Sequence, residues 1–184
     1  MQVTETDLKG CYEIMPAVFG DERGYFFESF QQEKLQQLIP DFPVFIQDNE
    51  AYSRQIGVIR GLHAQSGDAA QAKLVRVVKG RVIDVAVDIR KGSPTFGKHV
   101  AVELSEYNKK QLLVPRGFLH GYVVLEPDTI FVYKCDNYYN KQAEISVNVA
   151  DATLRIDWGI TVQEMILSEK DRAAPAWEAF LENY

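Results

Sequence analysis

Lys73-Leu74-Val75-Arg76-Val77-Val78 and Arg81-Val82-Ile83-Asp84-Val85-Ala86-Val87-Asp88-Ile89, joined across Lys79-Gly80, constrain this chain more than any other stretch. Both runs are dense in valine and isoleucine, whose branched Cβ suits a pleated strand better than a helix. Glycine at the join supplies the positive φ that a tight hairpin needs. Val85, Val87 and Ile89 alternate with Asp84, Ala86 and Asp88, which is the period of a strand. Similar short runs at 100–104, 111–114, 121–125, 129–135 and 145–149 are separated by turn-forming residues. This pattern predicts a mainly β fold, a sandwich or a jelly-roll barrel. Helix is expected only at the periphery: residues 31–39, stopped by Pro40, and a C-terminal stretch opened by Ser168-Glu169-Lys170-Asp171. Trp177, Phe180 and Leu181 would form the apolar face of that stretch. With no repeat, linker or low-complexity tract, residues 1–184 read as one domain.

Composition excludes several classes of function. Hydrophobic residues at 46% and charged residues at 25% are ordinary for a globular protein. No apolar run is long enough to span a membrane, and no signal-peptide pattern opens the chain. Cys11 and Cys135 are too few for a disulfide framework, so reduced thiols and a cytoplasmic location are expected. A net charge of -6 argues against nucleic acid as a partner. An anionic ligand would need particular arginines to attract it.

Two of the three histidines lie beside basic residues, in Arg60-Gly61-Leu62-His63 and in Pro115-Arg116-Gly117-Phe118-Leu119-His120, with Lys73 between them. Histidine, with an unperturbed pKa of ~6.5, moves protons near neutral pH. A lysine nearby can hold an oxygen that becomes negative when a carbon acid is deprotonated. The alternative is a metal. Pro115-x-Gly117-x-x-His120 resembles the second motif of the cupin superfamily, whose barrel holds a metal on an H-x-H pair, a glutamate and a later histidine. The first motif fails, because Gln65 stands where the second histidine should be. Two histidines alone make a poor transition-metal site, since stable sites usually take three or more protein ligands. The chain therefore reads as a metal-free, cupin-type jelly roll.

A more specific resemblance runs almost end to end. Val18-Phe19-Gly20-Asp21-Glu22-Arg23-Gly24, Phe26-Phe27-Glu28-Ser29, Gln47-Asp48-Asn49, Arg60-Gly61-Leu62-His63 and Lys73-Leu74-Val75-Arg76 carry its first half. Gly92-Ser93-Pro94-Thr95-Phe96-Gly97, Pro115-x-Gly117-Phe118-x-His120-Gly121, Tyr133-Lys134, Asn137-Tyr138-Tyr139 and Leu167-Ser168-x-Lys170-Asp171 carry its second. In order and spacing these resemble the dTDP-4-dehydrorhamnose 3,5-epimerases, cofactor-independent enzymes of dTDP-L-rhamnose synthesis. Ala64 replaces the family's usual phenylalanine, and Ala72 its frequent glycine. Loss of a ring beside His63 is expected to enlarge or reshape the pocket.

The resemblance implies roles. His63 is the expected base and Tyr133 the acid on the opposite face. Lys73 would hold the enolate oxygen. Asp171 would pair with His63, although Ser168-x-x-Asp171 equally reads as a helix cap. Arg23 and Arg60 would grip the pyrophosphate. Phe19 and Phe26 are candidates to pack on the thymine. Glu28, Gln47, Asp48, Asn49, His120, Glu144 and Lys170 match other ligand-site positions. The family further implies a homodimer in which the segment 19–28 reaches the neighbouring subunit's site. No cofactor is implied. The expected reaction inverts C3 and C5 of a dTDP-4-keto-6-deoxy sugar. Other readings are an epimerase acting at one carbon, a non-catalytic sugar-nucleotide-binding cupin, and a metal-dependent cupin oxygenase, which Gln65 disfavours. His99 fits no motif and is expected to be a surface or structural residue.

Overall fold

The computed structural model describes residues 1–184 and contains thirteen strands and three short helices. The strands are β1 (Gln2–Glu5), β2 (Tyr12–Met15), β3 (Val18–Asp21), β4 (Gly24–Phe27), β5 (Gln47–Ser53), β6 (Ile59–Gln65), β7 (Lys73–Lys79), β8 (Arg81–Asp88), β9 (His99–Ser105), β10 (Gln111–Val114), β11 (Phe118–Val124), β12 (Thr129–Cys135) and β13 (Glu144–Ser146). The helices are α1 (Gln32–Leu38), α2 (Glu169–Arg172) and α3 (Trp177–Asn183). Strands β1-β2-β10-β7-β12-β5 form one sheet and β13-β6-β11-β8-β9 a second, both antiparallel, while β3 and β4 pair only with each other. This is the mainly β, jelly-roll architecture expected.

The hairpin at Lys79-Gly80 takes β7 into one sheet and β8 into the other. Gly80 has φ +83°, and a Cβ there would lie 2.2 Å from Thr129 Oγ1, so both the backbone and the space require glycine. Alternation along β7 and β8 then fills three apolar layers. Val75, Val77, Val82 and Ala86 meet Phe131 and Tyr122 between the sheets. Val85, Val87 and Ile89 face outward, beneath Val147, Trp158, Trp177 and Phe180 of the C-terminal segment. Leu74 faces the other way, beneath Leu35, Ile39 and Phe42, which α1 and its exit contribute.

Because both faces of β8 are covered, its alternation does not separate core from solvent: Asp84 and Asp88 are both fully buried. Asp88 is held by the Arg90 guanidinium and the hydroxyls of Ser93 and Thr95. Several boundaries also differ from expectation. β11 begins at Phe118 and so includes His120, and β13 is only three residues long. The C-terminal stretch is two helices, because Pro175 lies between α2 and α3. Trp177 and Phe180 are buried there, but Leu181 is exposed. His99 lies at the start of β9, half-buried. No helix is long and apolar enough to cross a membrane.

Candidate active site

Between the sheets opens a cleft of about 820 Å³ whose walls include Arg60, His63, Lys73, His120, Tyr122, Phe131, Tyr133, Lys170 and Asp171. Its geometry begins with two glycines. Strands β6 and β11 approach so closely that a Cβ on Gly61 would lie 2.6 Å from Gly121 Cα and 2.7 Å from the His120 carbonyl oxygen. Gly61 also has φ +128°, a backbone that L side chains rarely adopt. The register then sets His63 directly opposite His120, followed by a bulge before Tyr122. Alternation turns His63 to the cleft and Leu62 and Ala64 into the core behind the sheet.

His63 Nε2 lies 2.5 Å from Asp171 Oδ1. The other carboxylate oxygen, Oδ2, accepts a hydrogen bond of 2.8 Å from the Ser168 hydroxyl. Ser168 Oγ also accepts from the Asp171 backbone N–H at 3.1 Å, so Ser168 caps α2 while Asp171 faces the histidine. The cap and the His–Asp pair are therefore parts of one arrangement. Burial raises the Asp171 pKa, but hydrogen bonds from His63 and Ser168 outweigh it and hold the carboxyl below its usual value. With Nε2 committed to a carboxylate, His63 Nδ1 is the ring atom left to take a proton.

The facing sheet supplies Lys73 and Tyr133. The Lys73 ammonium lies 5.9 Å from the centroid of the Tyr133 ring. Burial pushes the Lys73 pKa down, opposed by Cys135, Asp84 and Glu144. Burial likewise raises Tyr133, with Cys135 adding to the shift and Arg60 opposing it, so the phenol keeps its proton at neutral pH. His120 Nε2 lies 3.0 Å from both oxygens of Asp84. Burial raises the Asp84 carboxyl, and His120 and Lys73 oppose that. Arg60 donates to the Tyr52 carbonyl oxygen at 3.1 Å and to Ser53 Oγ at 3.5 Å.

A side lobe of about 180 Å³ shares His63, Lys73 and Tyr133 with the cleft and adds Gln47, Asn49 and Glu144. Gln47 Nε2 donates to Asn49 Oδ1 at 2.9 Å. Glu144 pairs with Lys170 and accepts from the Tyr139 hydroxyl at 2.9 Å. Burial raises the Glu144 pKa, but those bonds together hold it below its usual value. Gln65, the residue in the place of a second metal ligand, accepts the Asn140 N–H at 2.8 Å. No three His, Cys, Asp or Glu side chains are grouped to hold a metal.

The cleft and its lobe thus gather His63, Lys73, Tyr133, Asp171, Arg60, Gln47, Asn49, His120, Glu144 and Lys170. Phe19, Arg23, Phe26, Glu28 and Asp48 lie elsewhere. The first three sit on the β3–β4 hairpin, where Phe19 and Phe26 are 67% and 71% exposed and Arg23 pairs with Asp21. Glu28 pairs with Lys34 of α1. Asp48, one residue out of phase with Gln47 and Asn49, faces the outer side of β5 and pairs with Lys134 at 2.7 Å. Ala64 only borders the side lobe and packs mainly in the core behind β6, so its small size alters packing more than the main cleft. Sequence reasoning assigned no site role to Asp84 or Tyr122, and it gave Ser168 only that of a helix cap. A carboxylate in the middle of the valine-rich β8 run was the available signal for Asp84.

The sequence profile of the dTDP-4-dehydrorhamnose 3,5-epimerase family matches residues 5–179. A relative of that name from Salmonella typhimurium is 49% identical over 175 residues, 95% of this chain and 94% of its own. The crystal structure of a dTDP-4-dehydrorhamnose 3,5-epimerase from Elizabethkingia anophelis NUHP1 is similar at TM-score 0.93 and 53% identity, covering 100% of this chain and 99% of that one. A dTDP-6-deoxy-D-glucose-3,5-epimerase from Legionella pneumophila, in complex with dTDP-4-keto-L-rhamnose, is similar at TM-score 0.90 and 46% identity, covering 95% and 92%.

Proposed function

The chain belongs to the dTDP-4-dehydrorhamnose 3,5-epimerase family, and on that premise we propose a two-faced proton transfer between the facing sheets of its cleft. The enzyme is an epimerase of dTDP-L-rhamnose synthesis, converting dTDP-4-keto-6-deoxy-D-glucose to dTDP-4-keto-L-rhamnose. The C4 ketone acidifies the hydrogens on C3 and C5, because either carbanion delocalises onto O4. His63 Nδ1 removes the proton, and Asp171 stabilises the charge the ring acquires. The Lys73 ammonium donates to O4 as it becomes an enolate oxygen. Its lowered pKa makes it a better donor to that oxygen than an ordinary lysine. Tyr133 returns a proton to the opposite face. Each inversion leaves an imidazolium and a phenolate, and exchange with solvent resets both before the second carbon reacts.

One observation carries this reading: His63 stands on one sheet, paired with Asp171 of α2, and Tyr133 stands on the other sheet, with Lys73 beside it in the same cleft. The test is incubation with dTDP-4-keto-6-deoxyglucose in deuterated water, followed at C3 and C5 by NMR. Deuterium at both carbons of an inverted product is expected. Deuterium at one carbon only would make this a single-carbon epimerase, and none at either would refute the mechanism.

Arg60, His120, Gln47, Asn49, Glu144 and Lys170 are proposed to bind the nucleotide sugar from within the chain. Phe19, Arg23, Phe26 and Glu28 are proposed to bind it from a second copy, in a homodimer. What supports the dimer is a hairpin whose strands pair only with each other and whose exposed Phe19 and Phe26 rings line no part of their own subunit's catalytic cleft. Sedimentation is expected to give twice the chain mass, and a fully active monomer would refute the assignment. The two buried, unpaired thiols fit a cytoplasmic enzyme.

A further inference from the structure

Tyr122 carries the one buried hydroxyl for which the protein provides no hydrogen-bond partner. Its residue is 4% exposed, and its ring lies flat on Phe131 with centroids 3.9 Å apart. A buried hydroxyl left unpaired is costly, and native interiors seldom keep one without a use. The position is informative: Tyr122 stands opposite Arg60 on β6 and Asp84 on β8, just past the bulge from the His63–His120 pair. Of the charges around it, Arg60 acts on it most strongly. Ser53 is close but does not reach hydrogen-bond geometry. Burial pushes the phenol up to about 12, so it is a donor, not an anion, at any working pH.

We propose that the Tyr122 hydroxyl is a ligand-binding donor that, with Arg60, holds a phosphoryl oxygen of the diphosphate. The inference rests on the epimerase reading above and adds a residue to its binding site. In the unliganded chain the phenol oxygen is closed from solvent while Arg60 is exposed. A phosphate drawn in by Arg60 reaches that oxygen by displacing the guanidinium from Ser53, the longer of its two contacts at 3.5 Å. Arg60 supplies the charge, and Tyr122 supplies a donor that the protein itself leaves without a partner.

Tyr122→Phe tests this, because it keeps the ring and its stacking and removes only the oxygen. Binding of dTDP is measured by calorimetry, and melting with and without dTDP. A hydrogen bond to a charged acceptor predicts a roughly ten- to hundredfold weaker Kd for dTDP. The unliganded melting temperature should equal or exceed that of the parent, since no partner is lost, and the rise produced by dTDP should shrink. An unchanged Kd for dTDP overturns the inference, including the case in which only KM for the sugar nucleotide rises and the hydroxyl serves the sugar. A clear drop in the unliganded melting temperature also overturns it, by revealing a structural partner. A parent that does not bind dTDP brings down the substrate reading and this inference with it. A parent and variant that bind dTDP equally bring down the inference alone.

Discussion

Asp171→Asn separates charge from shape in the base. The carboxylate holds two donors: His63 at 2.5 Å through Oδ1 and Ser168 at 2.8 Å through Oδ2. An asparagine of the same outline has two ways to sit. With its oxygen toward His63, the ring keeps its proton on Nε2 and Nδ1 stays free, but the imidazolium loses its counter-charge. A charge-assisted hydrogen bond is worth roughly 1.5–3 kcal/mol, or about 10- to 150-fold in rate. With its NH2 toward His63, Nε2 must accept instead, and the ring proton moves to Nδ1, where the substrate's proton should go. That arrangement removes the base almost entirely, as a wrong tautomer does in other His–Asp pairs, at roughly 10⁴-fold.

The expected outcome is therefore a fall of roughly 10- to 10⁴-fold in deuterium wash-in at C3 and C5, depending on which way the amide sits. Binding of dTDP should change little, because Asp171 touches the ring and the cap but is not among the proposed phosphate contacts. The assay is NMR of the substrate in deuterated water, with dTDP affinity measured separately. Wash-in at both carbons within about threefold of the parent would refute the assignment of His63 as an Asp171-oriented base. Loss of wash-in together with loss of dTDP binding would mean that α2 had moved, so the circular dichroism and melting of the variant belong to the same experiment.

Tyr133→Phe keeps the ring but removes the proposed acid, so wash-in by His63 should partly survive while inversion is lost or stops at one carbon; inversion at both carbons at the parent rate would refute the role. Gly61→Ala should cost roughly 4 kcal/mol or more, since its Cβ would meet backbone at 2.6 and 2.7 Å and φ is +128°; a soluble variant with parental melting temperature would refute that account. Asp88→Ala should cost roughly 3–5 kcal/mol near neutral pH by stranding the Arg90 and hydroxyl donors. Burial would raise the Asp88 pKa, but those donors hold it far below the ordinary value of ~3.9, so its stabilisation is complete above that value and is lost as pH falls through the lowered one. Urea titrations should accordingly show the gap between parent and variant narrowing only in strong acid, and a gap already closed at pH ~5 would refute the linkage.

Much of this architecture was legible because strand periodicity and branched side chains are local signals. The β7–β8 hairpin, β10 and β12 stand where their residue types place them. The five strands before residue 54 were not read as strands, because they are short or rich in charge and amides, and tertiary pairing rather than propensity makes them strands. Helical spacing puts Leu181 on the apolar face, yet it is exposed, because spacing cannot say which flank of an amphipathic stripe the neighbouring sheet will cover. The residues now gathered in the cleft were named by motif, but their division between sheets was invisible, since the sequence does not reveal that β7 and β8 part into different layers. Asp84 and Tyr122 were missed for a related reason. Each looks like an ordinary strand residue until both faces of its sheet are seen to be covered.

The charge balance of the cleft explains how an acidic chain admits an anionic nucleotide. Three carboxylates beside the catalytic residues already have partners: Asp84 with His120, Asp171 with His63, and Glu144 with Lys170 and Tyr139, while Glu50 is exposed at the cleft wall. Arg60, by contrast, rests only on a carbonyl and a hydroxyl, both neutral acceptors. The Lys73 ammonium faces an aromatic ring, and no carboxylate bonds to it directly. Around the catalytic residues the uncommitted charges are thus cationic, Arg60 and Lys73, although the chain carries -6 overall. At a Debye length of ~8 Å in physiological salt, a ligand at the mouth feels these nearby cations far more than the distant surface acids. The same arrangement serves the reaction. Lys73 is poorly solvated and unpaired before O4 becomes negative, so the interaction it lacks at rest is the one it gains as the enolate forms.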